Sequence, residues 1–376
     1  MIAKASEQLR KIRNTARFIL GNVSDFNVQT DAIIDINELS PIDRLFLHRT
    51  SIFLNESKAH YSHFHFRKVI ECLQQYVSND LSSFYFEIVK DTLYTSGKTS
   101  KERRGVQTTL HHALGALLAV IGPIIPFTAE DIYQYQAIAV QKLGTDNQNN
   151  EVEIMQKDKV FENVPGESIF RVLSWHEQEQ EQKKDTGRAR EEREEREERE
   201  ERNERNERNE RKENQQGEGS WPVLDTSLYL NDTIEKQWLP LSNLREAVQH
   251  TLERARKDKK QIGSSLDAKI ELIGNWNNAG NASNANNEDM QELISFGSLA
   301  NIFVVSQVSF VDSKDVDNSS DCIASEKTTV ELFNGRTIEI EIRVVAPLGE
   351  KCPRCWKYAT TVFGGNDSKP ECGCEL

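Results

Sequence analysis

Long apolar runs are missing from this chain. The longest, residues 113–125, is broken by Gly and Pro and falls short of the roughly 20 residues that span a bilayer. No membrane partner is expected. The first residues lack the apolar core and small-residue cleavage site of a signal peptide. They begin inside a helical pattern, which reads as a start cut out of something longer. Cysteine is scarce, with 6 in 376 residues, too few for a disulfide scaffold. Cys72 and Cys322 stand alone and read as small buried apolar residues. The usual marks of catalysis are missing as well. There is no Gly-rich phosphate loop, no Ser elbow and no His-Glu-x-x-His helix. His60 and His63 share a His-x-x-His spacing, but Tyr-Ser lies between them, and solvent-facing side chains explain the pair. Glu87 and Asp91 flank Lys90 on an ordinary helix surface. No catalytic residue is assigned.

Excess positive charge is also lacking. The net charge of −13 argues mildly against a nucleic-acid partner. Local charge sets the field at a surface, however. The first twenty residues carry Lys4, Arg10, Lys11, Arg13 and Arg17 against Glu7 alone.

What is there is mostly helical. Leu9, Ile12, Ala16 and Ile19 form one stripe at helical spacing. Ser40 and Pro41 predict a capped helix start. Further stripes run through Phe66–Val77 and Leu81–Val89. Another helix spans 106–121, ended by Pro123 and Pro126, and Thr128 is expected to cap a helix over 129–135. Residues 1–140 therefore read as a helical bundle. Residues 141–176 read as a connecting segment, with a polar loop over 141–166. Residues 177–220 hold Glu-Glu-Arg and Asn-Glu-Arg repeats without an apolar face, an insertion that cannot join a core. Residues 221–346 read as one amphipathic helix, 238–260, stopped by Gly263-Ser264-Ser265, then a small α+β unit. Its strands are expected at 268–273, 302–308, 328–333 and 337–345, with Asn334-Gly335 as a tight hairpin. Residues 347–376 form a cysteine segment that closes this mainly α chain.

Four of the six cysteines lie in that segment. Cys352-Pro-Arg-Cys355 has the spacing of a metal knuckle, and Cys372-Gly-Cys374 follows at about the separation of the second half of a structural zinc site. Four thiolates close a tetrahedral Zn²⁺ site with no place for water, so the metal is structural. The one-residue spacer in the second pair makes a tighter chelate. Either both sulfurs bind, or the fourth ligand comes from elsewhere.

Arg10, Arg13 and Arg17 fall within about 60° on a helical wheel, with Asn14 beside them. Three guanidinium groups on one edge can clasp phosphates bidentately. An ordinary solvated face has the same pattern. A second basic group, Arg254, Arg256, Lys257, Lys259 and Lys260, ends the later helix, where it would also complement the helix dipole. Arg67-Lys68 and Lys101, Arg103, Arg104 are weaker candidates. Residues 61–66 and 84–86 are rich in aromatics, which either stack unpaired bases or pack in the core.

These local patterns, in order, resemble one family. Lys11-Ile-Arg-Asn-Thr-Ala-Arg-Phe-Ile-Leu-Gly-Asn22 is similar to the opening helix of the anticodon-binding domain of isoleucyl-tRNA synthetases. Leu81-Ser-Ser-Phe-Tyr-Phe-Glu-Ile-Val-Lys-Asp-Thr-Leu-Tyr94 resembles that domain's central helix, and Pro123-Ile-Ile-Pro-Phe-Thr-Ala-Glu-Asp-Ile132 its next junction. Residues 168–175 resemble a later family segment. Residues 252–266 are similar to the link into its carboxy-terminal unit, and Lys351-Cys-Pro-Arg-Cys-Trp-Lys-Tyr358 to the zinc-binding end of the bacterial and organellar branch. The bundle is shared with valyl, leucyl and methionyl relatives. The resemblance implies a tRNA(Ile)-gripping portion of an enzyme that joins isoleucine to tRNA with ATP. ATP would enter only through a catalytic domain whose His-Ile-Gly-His and Lys-Met-Ser-Lys-Ser signatures this chain lacks. The editing domain is lacking too, so the amino-terminal domains, on the same or a separate chain, are expected partners. A mitochondrial location is expected, with a bacterial cytoplasm as the alternative. The competing expectation is a free-standing zinc-containing adaptor for tRNA or protein.

Overall fold

The computed structural model describes residues 2–33, 35–146, 229–259, 262–276, 288–314 and 322–359. It divides into two compact units. One comprises residues 1–111 and 226–376, the other residues 112–225. No helix among the described residues is long and apolar enough to cross a membrane.

The first unit begins with α1 (Ile2–Asn22), whose Ile12, Ala16 and Ile19 flank is buried, as is Val23 just past its end. The short α2 (Val28–Asp31) precedes α3 (Pro41–Ser62). Ser40 caps α3, its hydroxyl oxygen accepting from the Asp43 amide, with Pro41 in the first turn, as the sequence predicts. Then come α4 (Phe66–Gln75), a π-helical segment (Tyr76–Tyr85) and α5 (Phe86–Thr95). The two stripes of the sequence thus lie on one continuous rod with wider winding in the middle. The Ser82 and Ser83 hydroxyls donate to carbonyls five residues back, Val77 and Ser78, which the wider winding brings within their reach.

Tyr76 and Tyr85 point from this rod into the bundle. Tyr76 stacks on Phe53 at 4.1 Å and Tyr85 on Phe46 at 4.1 Å. Their hydroxyls have buried partners: Thr50 at 3.0 Å, and the Asp43 carboxylate at 2.6 Å, to which Tyr85 donates. Burial pushes the Asp43 carboxyl up, partly offset by hydrogen bonds from Tyr85 and Ser40.

The same unit continues in α8 (Asp232–Lys259), a 28-residue helix. A four-stranded sheet follows, in the order β2-β1-β4-β3. It comprises β1 (Lys269–Gly274), β2 (Gln307–Asp312), β3 (Ala324–Glu331) and β4 (Thr337–Val345). β1 pairs parallel with β2 and antiparallel with β4. Between β1 and β2 lie α9 (Glu288–Ile294) and α10 (Leu299–Phe303). The strand expected at 302–308 is therefore half wrong: Ile302 and Phe303 end a buried helix, and the strand starts at Gln307. A short apolar run fits a buried helix as well as a strand. The Asn334-Gly335 turn joins β3 to β4, with Gly335 at φ +79°. α8 covers β3 and β4. Val248, Leu252 and Ala255 of α8 are buried, as are Val330, Ile340, Ile342 and Val344 of those strands.

The bundle and the α8 region share an ionic and aromatic seam. Arg49 of α3 makes a bidentate contact with Glu235 of α8, at 2.7 and 3.3 Å. Arg49 also sits 4.7 Å over the Phe84 ring and 3.7 Å from Asp80. Trp238, 2% exposed, packs edge-on against Phe84 at 5.3 Å and Phe296 at 5.2 Å. Arg245 donates to the Ile302 carbonyl and to Glu87.

Burial raises the Asp80 carboxyl to about 6, with Arg49 opposing and Glu235 adding to the rise. Its folded pKa lies above the unfolded value of 3.8. Asp80 therefore contributes stability that is full below about 3.8 and lost as pH rises through about 6. Asp80→Asn is expected to stabilise the protein at pH 7.5, by at most about 3 kcal/mol at 1.36 kcal/mol per pKa unit. The gain should vanish below pH 4. Denaturant unfolding at both pH values checks this, and an equal effect at the two would remove Asp80 titration as the cause.

The described part of the second unit is the end of α6 (Lys101–Ile121), a turn, and α7 (Pro126–Asp146). α7 starts at Pro126, not after Thr128. Proline fits the first turn of a helix, where its missing N–H would have no partner. α7 also runs on through 141–146, where the sequence reads as loop. The rest of the connecting segment and the Glu/Arg repeats lie outside the described residues.

Candidate nucleic-acid interface

The arginine edge of α1 follows from its burial pattern. With Ile12, Thr15, Ala16 and Ile19 turned inward, Arg10, Arg13, Asn14 and Arg17 are all exposed. Among the described residues none of the three arginines forms an ion pair, whereas Lys11 lies 3.9 Å from Glu7. Three adjacent guanidinium groups without a carboxylate partner among the described residues are available to an anion from solution. A cleft of about 160 Å³ lies beside the helix, lined by Glu7, Lys11, Ile12, Leu73 and Val77 among others. Glu7 is the sole carboxylate of its lining, which holds no His or Cys. It offers no acid–base pair.

The second basic group is more engaged. Arg254 lies 3.4 Å from Glu326 of β3, which also accepts from His250 and Thr251. Hydrogen bonding from His250, outweighing desolvation, lowers the Glu326 carboxyl. Lys257 pairs with Glu253 one turn back at 3.2 Å. Arg256 is exposed, Lys259 is the last residue of α8, and Lys260 lies outside the described residues. Arg103 and Arg104 prove structural. Arg103 grips Asp25 with both nitrogens, at 2.6 and 3.1 Å, and Arg104 lies 3.2 Å from Asp31. Burial alone would raise the Asp25 carboxyl, but Arg103, Gln107 and Arg104 together lower it.

The two aromatic stretches part ways. Phe84, Tyr85 and Phe86 are buried in the core, whereas Phe64 and Phe66 are exposed.

Cys352 and Cys355 occupy the tip of a short hairpin, β5 (Glu350–Lys351) with β6 (Tyr358–Ala359). Both are buried. The Cys352 amide donates to the Lys357 carbonyl and the Trp356 amide to the Cys352 carbonyl, with Trp356 at φ +65°. This is a tight turn that holds both thiols on one loop. Two lysines fasten it. Lys357 reaches Asp91 of α5 at 2.8 Å and Asn301 at 2.6 Å, and Lys351 reaches Asp267 at 2.8 Å. Cys372 and Cys374 lie outside the described residues. Among the described residues no group of three metal-ligating side chains comes together.

Comparison with known proteins bears on this interface. The profile described as the anticodon-binding domain of tRNA ligase matches residues 43–216. Residues 43–216 thus resemble an anticodon-binding domain of tRNA ligase. Sequence similarity to single proteins runs along almost the whole chain. The isoleucine--tRNA ligase of Natranaerobius thermophilus is 28% identical over 373 residues, 99% of this chain and 30% of its own length. Those of Synechocystis sp. and Kosmotoga olearia are 30% and 28% identical over 96% of this chain, and 31% and 28% of their own lengths. The chain thus spans about a third of the curated relatives it matches, and it corresponds to their C-terminal part. The profile match begins at Asp43, in α3. The arginine edge of α1 precedes that boundary and belongs to the region that the isoleucine--tRNA ligases match.

Proposed function

We propose that the chain grips the anticodon stem and loop of isoleucine tRNA within an isoleucine--tRNA ligase. The bond-making chemistry with ATP then belongs to amino-terminal domains on the same or another chain, and the editing chemistry likewise. The observation that carries this reading is the exposed edge of Arg10, Arg13, Asn14 and Arg17, with no ion pair to a carboxylate among the described residues. Phosphate contacts from that edge orient the RNA, and splayed loop bases supply selectivity. Arg254, Arg256, Lys257, Lys259 and Lys260 form a secondary contact, weakened at Arg254 by Glu326.

Cys352 and Cys355 fit a structural Zn²⁺ site, because both thiols are buried in one tight turn. Cys372 and Cys374 complete the donor set. When bound, the ion cross-links the end of the chain and supplies no reaction chemistry. The compartment we favour is the mitochondrion, on the repeat-rich insertion in a bacterial-type sequence, with a bacterial cytoplasm as the second choice.

The test is titration of the purified chain with isoleucine tRNA and with an unrelated tRNA, with metal analysis of the same preparation. Tighter binding of isoleucine tRNA and one zinc per chain are expected. Equal affinity for both tRNAs would replace this reading by that of an adaptor, and zinc at background level would remove the metal site.

A further inference from the structure

The turn from α3 into α4 holds an outlier of backbone geometry. The His65 amide donates to the His60 carbonyl at 2.8 Å, and the Phe64 amide to the Tyr61 carbonyl at 3.0 Å. Those two bonds are the Schellman closure of a helix end, and the residue at its left-handed position is usually Gly. Here it is Phe64, at φ +56°. The strain is not compensated by burial, since the Phe64 ring is 77% exposed. A strained conformation that displays an apolar ring to solvent, on a turn where Gly would serve the fold better, points to a ligand of that ring.

The surroundings define the ligand's chemistry. Phe66, 51% exposed, lies edge-on to Phe64 at 6.2 Å and to Tyr61 at 6.2 Å. The His63 and His65 rings lie nearly parallel at 5.8 Å. Residues 60–68 contain no acid, and Arg67 and Lys68 are exposed at the start of α4. Arg67 pairs with Glu71 one turn on at 3.0 Å, while its side chain stays 92% exposed. Flat rings interleaved with positive charge suit bases and phosphates together.

We propose that the α3–α4 elbow stacks unpaired RNA nucleotides on Phe64 and Phe66, with Lys68 and Arg67 on their phosphates. This is a second RNA contact beyond the arginine edge of α1, and it rests on the reading of the chain as an RNA-binding portion. Stacking is tolerant of base identity, so the elbow adds affinity for unpaired RNA and little sequence preference.

The experiment uses the full chain with two probes, a single-stranded RNA heptamer and a blunt RNA duplex. Phe64→Gly is expected to weaken heptamer binding by about tenfold, the scale of one lost base–aromatic stack. Duplex binding should be unchanged. The same variant should melt higher by about 2–4 °C, because Gly relieves the left-handed strain. A change of opposite sign in stability and binding separates a ligand-contacting role from a structural one. Phe64→Leu, which keeps apolar bulk but no flat ring, should lose heptamer affinity without the rise in melting temperature. Unchanged heptamer affinity in both variants, or no heptamer binding by the wild type, overturns the proposal. Should the wild type bind the heptamer through Phe64 yet not prefer isoleucine tRNA, the elbow stands and the anticodon reading falls. Should it prefer isoleucine tRNA while both variants bind the heptamer normally, the elbow falls alone.

Discussion

Replacing Arg13 and Arg17 together by Ala weakens tRNA binding by roughly tenfold at low salt and flattens its salt dependence. Each guanidinium that neutralises a phosphate releases condensed counterions, so log K falls with log salt by about 0.7–0.9 per contact. Losing two contacts should reduce that slope by about 1.4–1.8. Both side chains are exposed and form no ion pair among the described residues, so the fold should be nearly unaffected, within about 0.5 kcal/mol. The pairing of an intact melting curve with a reduced slope is the signature. The comparison variant is Arg103→Ala, whose guanidinium holds Asp25. That change should lower stability, because it removes a 12%-exposed cation from its carboxylate, and should leave the slope alone. A double variant whose salt slope matches the wild type would take α1 out of the interface.

Trp238→Ala should cost about 3–5 kcal/mol of stability, the range for truncating a buried large aromatic. Trp238 is 2% exposed, and its ring meets Phe84 of the π segment on one side and Phe296, just past α9, on the other. Removing it leaves a void where the bundle, α8 and the α+β region meet. The loss should therefore reach elements far apart in sequence. Amide exchange in α3 and in β4 should accelerate together. Protection lost in β4 alone, with α3 unchanged, would show that the two regions open independently and that the ring is not their common pillar. A cost under about 1 kcal/mol would show that the site collapses around the deletion.

Much of the fold was legible in the sequence because its signals are local. Ser40-Pro41 marks a helix start by backbone chemistry alone, and residues 337–345 alternate as a half-buried strand must. The errors have local causes too. Thr128 has the look of a cap, but Pro126 two residues earlier opens the helix first. Ile302 and Phe303 are apolar enough for a strand and belong to a helix. The π winding over Tyr76–Tyr85 has no reliable sequence signature; the rings at its two ends, Tyr76 and Tyr85, stack on Phe53 and Phe46 of α3.

The candidate site divides along a different line. The exposed arginines of α1 could be found by counting residues on a wheel. That Arg103 and Arg104 serve Asp25 and Asp31 could not, because the partners lie more than seventy residues away in sequence. The same holds for Arg254 and Glu326. The exposure of the 61–66 aromatics and the burial of 84–86 depend on which rod faces the bundle, and composition is the same for both. Cys372 and Cys374, half of the expected metal set, lie outside the described residues.

The compact unit built from residues 1–111 and 226–376 is interrupted by more than a hundred residues of chain. During synthesis, at roughly 5–20 residues per second, the ribosome needs several seconds or more to deliver α8 after α5 has emerged. Throughout that interval Phe84 and the Arg49 pocket lack the helix that covers them. The nascent bundle is thus a sticky half-product, and its maturation is paced by translation of the excursion between its two halves.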